Sequence, residues 1–358
     1  MSGPVLHWLE RWLPLSEQFV HTLIRHLQRP GIVVSRLAFE NVELYDHRPR
    51  HSLRWVRPPL PATTQRRLVT GALLALRSRH RASVLHAHHG YRTYELRGFL
   101  DRSDLPLVVS LHGHDVAGYS WERPGTYEGV LDRARAVIVP SEFLVPHAVA
   151  AGASADRVHV IASGVDTEWF TPSPVPLDSS EVVFVGRFVE KKGIDTLLDA
   201  WSDVQSRVPS ARLRLLGYGP LEPLARSRTD GVEVVLRPDR GGVRDAIGRA
   251  RAVVSPSRTA PDDAFETLLV VNLEAQASGR PVVTTNHGGI PEYVADGQTA
   301  LVVPEADPGA LAAALIEVLT DDVLARRLGG AGPRFIAERR LDVASSAARV
   351  DGIYDSIT

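Results

Sequence analysis

Two glutamates, Glu266 and Glu274, have the residue type and spacing that point most directly to chemistry, with seven residues between them. Glu266 stands at the entry to a helix-length segment at residues 267–277, and Glu274 lies two turns on within it. The segment follows an apolar run at 252–254 and precedes a β-branched run at 281–285. In such a strand–helix–strand unit, backbone N–H groups and the positive end of the helix dipole attract phosphate to one crevice. Carboxylates beside that crevice can accept hydrogen bonds from hydroxyls. The pattern therefore suits a ligand with hydroxyls at both ends and phosphate between them, as in a nucleotide-sugar.

The alternative is that the two glutamates are a solvated pair on an amphipathic helix. The neighbours of Glu274 argue against this, because they are apolar and predict at least partial burial: Leu268, Leu269, Val270, Val271 and Leu273. A buried carboxylate is costly unless it has a partner.

The composite pattern of Glu-x7-Glu, A-x-A-x-G-x-P-V-V and G-G-I-P-E resembles the donor-binding signature of the retaining glycosyltransferases of family four. The resemblance covers most of the chain and implies the α/β fold called GT-B, with two Rossmann-like domains whose parallel sheets face a central cleft. It implies that the second domain binds the nucleotide-sugar and the first binds the acceptor. It gives Glu266 a catalytic and donor-binding role, Glu274 a donor-binding role, and donor contacts to Thr267, Leu268 and Leu269.

A second group of candidates follows the strand-like run at residues 182–185. Gly186 and Arg187 stand at its end, and Lys191 and Lys192 are the only lysines in the chain. An arginine fork and a lysine point charge both suit a diphosphate, and solvated surface cations are the alternative. The pattern G-R-x-x-x-K-K-G resembles the family motif, which assigns Arg187 and Lys192 to the donor phosphates and to catalysis.

The resemblance also implies how the reaction proceeds and where the base binds. It places the base at the backbone of Leu236 and Arg237, and it implies that the anomeric configuration is retained. No enzymic nucleophile is evident in the sequence, so we expect a front-face route in which the leaving diphosphate helps to deprotonate the acceptor hydroxyl. Arg187 and Lys192 would then stabilise the growing negative charge.

In the first half, an apolar run at residues 107–111 ends in His-Gly-His-Asp. A lone histidine is usually structural, but this H-G-x-D pattern is similar to a family motif in which the histidine faces the reacting sugar. His112 is therefore a catalytic and acceptor-side candidate, with Asp115 beside it. Ser16 is a plausible helix N-cap, and its surroundings partly match a family segment that places Ser16 and Glu17 on the acceptor side.

His86, His88 and His89 have a spacing that could suit a metal ion. No carboxylate cluster is adjacent, and the resembled family needs no metal. We interpret them as strand-end residues that line the cleft or pack beneath it, with His88 on the acceptor side, and we expect neither a metal nor a cofactor.

The Pro-rich segment 171–176 is a natural connector. It predicts an N-terminal domain at residues 1–171 and a C-terminal domain at 177–340. The resemblance adds a final helical segment, 341–358, that crosses back to the first domain.

The composition is typical of a globular protein, with 44% hydrophobic residues, 41 basic and 42 acidic residues, and no cysteine. This balance argues against nucleic-acid binding. The sequence has no apolar stretch long enough to span a bilayer and no signal-like N-terminus. We therefore expect a cytoplasmic enzyme.

The first hundred residues carry 15 arginines and 6 acidic residues, and nine of these arginines lie in the acid-free segment 47–89. Part of it, residues 63–81, has helical periodicity with an apolar stripe at 68–76. The basic face is either simply solvated, or contacts anionic lipid at the inner face of the cell membrane, or binds an anionic acceptor. The acceptor stays open among saccharides, lipid-linked intermediates and small molecules.

Three rival functions share parts of this pattern. A sugar-nucleotide epimerase has the same two-domain fold, but we find no acidic catalytic set in the N-terminal half. A phosphorylase usually needs a cofactor on a lysine, and both lysines already have a role. A non-catalytic sugar-nucleotide-binding protein would be free to lose Arg187, Lys192, Glu266 and Glu274, all of which are present.

Overall fold

The computed structural model of the chain contains two compact units. Unit 1 comprises Met1–Ser163 with Ala344–Thr358, and unit 2 comprises Gly164–Val343. The structure describes residues 3–14, 17–42, 50–90, 93–117, 127–227, 230–260 and 264–358. Ser16, a predicted acceptor-side residue, lies outside these ranges.

The described part of unit 1 forms a seven-stranded sheet in the order β3-β2-β1-β4-β5-β6-β7. All of its neighbouring strands are parallel. The strands are β1 Val5–Trp12, β2 Gly31–Phe39, β3 Arg50–Ser52, β4 Val84–Ala87, β5 Leu107–Ser110, β6 Ala136–Val139 and β7 Val158–Val160. The winding reverses between β1 and β4, and the loops that follow strands at such a point open a crevice.

Unit 2 repeats this winding. Its described residues form a six-stranded sheet in the order β10-β9-β8-β11-β12-β13, again with parallel neighbours. The strands are β8 Glu181–Arg187, β9 Arg212–Tyr218, β10 Val232–Leu236, β11 Ala252–Ser255, β12 Val282–Thr285 and β13 Ala300–Val303. The winding reverses between β8 and β11. The predicted α/β class with two parallel sheets is confirmed.

Helices connect the strands. In the described ranges they are α1 Gln18–His26, α2 Ala62–His80, α3 Arg97–Leu100, α4 Gly113–Val116, α5 Val145–Ala150, α6 Ile194–Arg207, α7 Glu222–Ala225, α8 Arg240–Arg249, α9 Val270–Ala277, α10 Pro308–Thr320, α11 Asp322–Glu338 and α12 Val343–Ile357. Within these ranges, no helix combines the length and the apolar character needed to cross a membrane.

The apolar stripe of α2 serves the core of unit 1. Val69, Leu73 and Leu76 are all buried, whereas Arg66 and Arg67 are exposed. The stripe therefore cannot also rest on a bilayer, because the unit's own interior already covers it. Arg66 and Arg67 of the basic face remain on the surface.

The Pro-rich segment 171–176 belongs to unit 2, which begins at Gly164. Arg280, only 1% exposed, donates from its guanidinium to the carbonyl of Ser173 at 2.8 Å and to its hydroxyl at 2.5 Å. These bonds fasten the segment to unit 2. The boundaries expected at residues 171 and 177 therefore lie too far along the chain.

The chain returns to unit 1 through α12. Val350, Ile353 and Tyr354 of this helix are buried in one cluster with Val5 and Val84 of the sheet. The final helix thus supplies part of the core beneath β1 and β4.

Candidate active site

The loop between β11 and α9 carries Glu266. The backbone N–H of Glu266 donates to Nε2 of His287 at 3.1 Å, and Gly289 N donates to the Glu266 carbonyl at 3.0 Å. Because these bonds hold the loop in a non-helical form, α9 begins at Val270 rather than at the predicted residue 267. His287 was not predicted, although its place directly before the G-G-I-P-E motif was a usable signal.

Glu266 is 7% exposed and ionically paired. Its Oε1 lies 3.1 Å from Lys192 Nζ and 3.3 Å from Lys191 Nζ. Burial alone would raise the pKa of Glu266, but the two ammonium groups outweigh it and hold the pKa below its ordinary value. The residue is therefore a carboxylate. The contact with Lys191 was not predicted.

Lys192 follows β8 and lies close to two other cationic side chains, Lys191 and Arg187. Burial lowers its pKa, Glu266 opposes this, and the charges of Lys191 and Arg187 lower the pKa further. Two ammonium groups thus contact one carboxylate, and the exposed Arg187 adds a third positive charge close enough to act on Lys192. This surplus of positive charge attracts an anionic group such as phosphate.

A glycine allows the lysine loop to approach the loop that follows β11. Gly193 precedes α6 with φ +64°, and a Cβ at this position would lie 1.9 Å from the carbonyl oxygen of Pro256. Only glycine fits both the left-handed backbone and the close approach. The glycine of the predicted K-K-G motif therefore brings Lys192 and the start of α6 to the switch point of the sheet.

The remaining residues predicted to contact the donor lie at the end of β10 or after β11 in unit 2. Thr267 and Leu269 are buried in the loop before α9, and Leu268 is half-buried. Leu236 ends β10 and is exposed. Arg237 has φ +48°, unusual for a residue with a side chain, and its guanidinium lies 4.7 Å from the centre of the Tyr218 ring.

Glu274 lies on α9 and is half-buried. Loss of water around its carboxyl raises the pKa to about 7; the charge of Arg240 opposes this rise and that of Asp166 adds to it. Unlike Glu266, this glutamate titrates near neutrality.

Asp166 and Arg240 belong to a local set in unit 2 that was not predicted. Arg240 donates to the Asp166 carboxylate at 2.6 Å, and its guanidinium lies 4.9 Å from the centre of the Trp169 ring. Arg244 lies 4.6 Å from the same ring centre. The G-V-D pattern at 164–166 was the signal in the sequence that could have indicated this set. Arg240 and Asp166 act in opposite directions on the pKa of Glu274.

The raised pKa of Glu274 predicts a pH-dependent stability that Glu274→Gln removes. Since the folded-state pKa of about 7 exceeds the unfolded value, the stabilisation is complete below the unfolded pKa. It is lost as pH rises through about 7. Relative to Glu274→Gln, the wild type should lose up to about 1 kcal/mol per pH unit between pH 5 and 7. Urea unfolding of both proteins at several pH values measures this, and parallel curves would refute it.

In unit 1, His112 follows β5 and precedes α4. Burial, then the charge of His89, lowers its pKa to about 3, although a hydrogen bond to the backbone of His88 opposes this. The imidazole is therefore neutral. Its Nε2 is buried and has no hydrogen-bond partner among the residues that the structure describes. The Phe19 ring packs edge-on at 5.1 Å between centres.

Asp115 anchors this turn. The carboxylate is 1% exposed and accepts from His112 N at 2.7 Å and from Gly90 N at 2.9 Å. It thus ties the loop after β5 to the loop after β4. Asp115 therefore positions His112 through the backbone of the turn.

The side chain of Glu17 contacts that of His89 at the same end of the sheet. Their Oε2 and Nε2 atoms lie 3.2 Å apart, and His89 Nδ1 lies 3.9 Å from Asp115 Oδ2. Burial alone would lower the pKa of His89, but the hydrogen bond and charge of Glu17 and the charge of Asp115 raise it above its ordinary value. His89, with its raised pKa, therefore lies beside the neutral His112, with 5.0 Å between ring centres.

His88 packs beneath this site. It is 1% exposed, its Nε2 lies 2.9 Å from His7 Nδ1, and its ring stacks on His86 at 4.0 Å. His86 in turn bonds Ser110 at 2.8 Å and Tyr354 at 2.6 Å. Of the two histidines that follow β4, His89 forms the contact with Glu17, whereas His88, expected on the acceptor side, is buried against His7 and His86.

One nitrogen from each of His7, His86 and His88 lies within 4.8 Å of the others, a spacing open to a metal ion. Hydrogen bonds already join His7 to His88, and others join both nitrogens of His86 to hydroxyl groups. Burial lowers the pKa of His86 to about 3, and burial, then the neighbouring histidines, holds the pKa of His88 well below its ordinary value. The lowered pKa values of His86 and His88 and the hydrogen bonds of the three rings account for this cluster without a metal ion.

The two switch-point sheets define the chain as a protein of the GT-B class. A family model described as "Glycosyltransferase Family 4" matches residues 16–169, and one described as "Glycosyl transferases group 1" matches residues 179–321. The chain belongs to the group 1, family 4 glycosyltransferases.

Individual relatives agree. A GDP-mannose-dependent alpha-(1-6)-phosphatidylinositol monomannoside mannosyltransferase of Mycobacterium tuberculosis is 32% identical over 67% of this chain and 67% of its own length. A D-inositol 3-phosphate glycosyltransferase of Corynebacterium diphtheriae is 30% identical over 76% and 70%. The structure of Anabaena HepE in complex with UDP-glucose matches with a TM-score of 0.78 and 18% identity, covering 99% of this chain and 100% of that chain. The chain spans between 52% and 64% of the length of the first curated relatives that it matches.

Proposed function

We propose that the chain is a retaining glycosyltransferase that moves a sugar from a nucleotide-sugar to a hydroxyl of a saccharide, lipid-linked or small-molecule acceptor. The observation that carries the proposal is the buried Glu266 carboxylate held by Lys191 and Lys192 where β8 and β11 diverge. Cations there suit the diphosphate, and the carboxylate suits sugar hydroxyls. The two mannosyl- and glycosyltransferase relatives and the UDP-glucose complex of HepE support this assignment.

The proposed mechanism divides the work between the units. Arg187 and Lys192 stabilise the diphosphate as its negative charge grows, Glu266 holds the sugar, and Glu274 accepts hydrogen bonds from the ribose. In unit 1, the family resemblance assigns the neutral His112 to the reacting sugar and Glu17 to the acceptor. The leaving diphosphate takes the acceptor proton, so no enzymic nucleophile is required.

The proposal is tested first by ligand-induced stabilisation across UDP-, GDP- and dTDP-linked sugars and the free nucleotides. A ligand raises the unfolding free energy by RT ln(1 + [L]/Kd), so the preferred donor gives the largest shift. Product analysis with that donor then separates the rivals: transfer or hydrolysis with retained configuration supports the proposal. Epimerisation without acceptor, phosphate-dependent cleavage, or binding without turnover would replace it.

Sugar transfer should not require a metal ion. Arg187, Lys192 and the start of α6 supply the positive charge that a metal would otherwise bring to the diphosphate. Activity is therefore expected to persist in EDTA at the level of the untreated protein. Loss with EDTA, restored by Mg²⁺ or Mn²⁺, would overturn this expectation and make the His7, His86 and His88 cluster a metal-site candidate.

We further propose that unit 1 contacts an anionic membrane surface, where a lipid-linked acceptor would lie. Trp55 is 55% exposed, next to the exposed Arg54 and close in sequence to the exposed Arg57, and it follows β3. Trp is favoured at membrane interfaces, and each arginine near an anionic leaflet contributes about 1 kcal/mol. The enzyme would then work at the cytoplasmic leaflet.

Vesicle co-sedimentation is expected to show binding to phosphatidylglycerol vesicles that weakens from low to physiological salt. Trp55→Ser should reduce the bound fraction several-fold at both salt concentrations, because the apolar part of the contact is lost. Val323→Ser, at a residue of unit 2 that is 69% exposed, is the matched control and should leave it unchanged. Absence of binding at either salt concentration would exclude the membrane contact and favour a soluble acceptor.

A further inference from the structure

A concavity of about 690 Å³ opens in unit 1 at the edge of the sheet where β4, β5 and β6 begin. Ser83, Pro106 and Arg135, which line it, each directly precede one of these strands. His112 and His89 follow strands of the same sheet and therefore lie at its opposite edge. The concavity is thus separate from the candidate active site.

Three arginines from different parts of the chain converge on this concavity: Arg77 from α2, Arg135 before β6, and Arg157 before β7. Among the described lining residues, one has an acidic side chain, Asp104. Positive charge therefore exceeds negative charge around the opening. An anion bound there would relieve the repulsion between the guanidinium groups.

Two of these guanidinium groups are held in place. Arg77 donates to Ser103 Oγ at 2.7 Å and to Asp104 Oδ1 at 2.5 Å. Arg157 donates to the carbonyl oxygen of Ala134 at 3.2 Å. Groups that are fixed before binding lose little freedom when a ligand arrives.

Arg135 is exposed, and its guanidinium has no hydrogen-bond or ion-pair partner among the described residues. Its free fork of donors matches the geometry of a phosphate group. The wall beside it is partly apolar, with Leu105, Pro106 and Ile357. Such a wall can contact the organic part of a ligand.

We propose that this concavity is a second ligand site, which binds the phosphate group of a small organic anion between Arg77, Arg135 and Arg157. A volume of about 690 Å³ lies in the range that holds small ligands. The proposal does not depend on the glycosyltransferase assignment, since the site lies at the other edge of the sheet and in unit 1.

The test must first remove the phosphate-binding group of unit 2. In a protein carrying Arg187→Gln and Lys192→Gln, calorimetry at low ionic strength should show saturable binding of glucose 1-phosphate, weaker binding of inorganic phosphate, and none of glucose. Adding Arg135→Gln should raise the Kd for glucose 1-phosphate by about tenfold or more, because a charge-assisted contact is lost. Arg67→Gln, an exposed arginine on the same helix as Arg77, is the charge-matched control.

Two further outcomes are informative. If only phosphatidylglycerol vesicles bind in an Arg135-dependent way, the phosphate belongs to a lipid head group, and the site is still supported. If no probe binds saturably, or if Arg135→Gln and Arg67→Gln change binding equally, the proposal is overturned. Thermal unfolding of each variant without ligand confirms that the comparison is made between folded proteins.

Discussion

Lys192→Gln should lower the rate of sugar transfer by about 30- to 1,000-fold, equivalent to about 2–4 kcal/mol of barrier. Lys192 Nζ lies 3.1 Å from Glu266, beside the end of β8 where Arg187 stands. A fixed ammonium at this place acts on charge that develops as the donor's glycosidic bond breaks. Its loss therefore reduces kcat more than it reduces the affinity for the donor.

The neighbouring lysine provides the control for this prediction. Lys191 lies 3.3 Å from the same carboxylate oxygen, and its ammonium also donates to the carbonyl of Phe265 at 3.4 Å. Lys191→Gln removes the same charge but leaves Lys192 in place, so we expect a clearly smaller loss of rate. Equal losses, or a larger one for Lys191→Gln, would show that the phosphate role was given to the wrong lysine.

The sequence located the parts of the site that depend on strand ends. In parallel sheets the residues that follow the strands meet at one edge, so a motif after an apolar run already has an approximate place. The positions of Arg187 after β8 and of His112 after β5 were predicted in this way. Glu266 was singled out by its spacing from Glu274, although it lies on the loop before α9 and not on the helix.

Pairings between distant loops could not be read from the sequence. Glu17 and His89 are 72 residues apart, and no local pattern indicates that their side chains form a hydrogen bond. His88 and His89 are adjacent and alike in type, yet the turn after β4 buries the first and directs the second to Glu17. That choice depends on the packing of His7 and His86, which periodicity does not encode.

Surface assignments failed for a related reason. The periodicity of α2 correctly predicted a helix with an apolar face, but it could not tell whether protein or lipid covers that face. Val69 and Leu73 are fully buried within unit 1. Likewise, the proline content of 171–176 suggested a hinge, whereas the buried Arg280 fastens the segment to unit 2.

Glu266→Ala and Glu274→Ala should divide donor binding into its two ends. Glu274→Ala removes the proposed acceptor of the ribose hydroxyls, and we expect it to weaken binding of the free nucleoside diphosphate by about tenfold, the worth of one or two hydrogen bonds. Glu266→Ala removes the sugar contact only. It also leaves Lys191 and Lys192 without their shared carboxylate.

The contact between Glu266 and the two lysines increases the difference in nucleotide affinity that we expect between the two variants. With the carboxylate gone, the positive charge at the end of β8 is no longer offset, so the free nucleoside diphosphate should bind Glu266→Ala as tightly as wild type, or more tightly. Transfer should nevertheless fall by about a hundredfold or more, since the group that holds the sugar is lost. Calorimetry with the nucleoside diphosphate, beside turnover with the preferred donor, measures both quantities. Equal loss of nucleotide affinity in the two variants would contradict the division, because it would place both carboxylates on the same part of the donor.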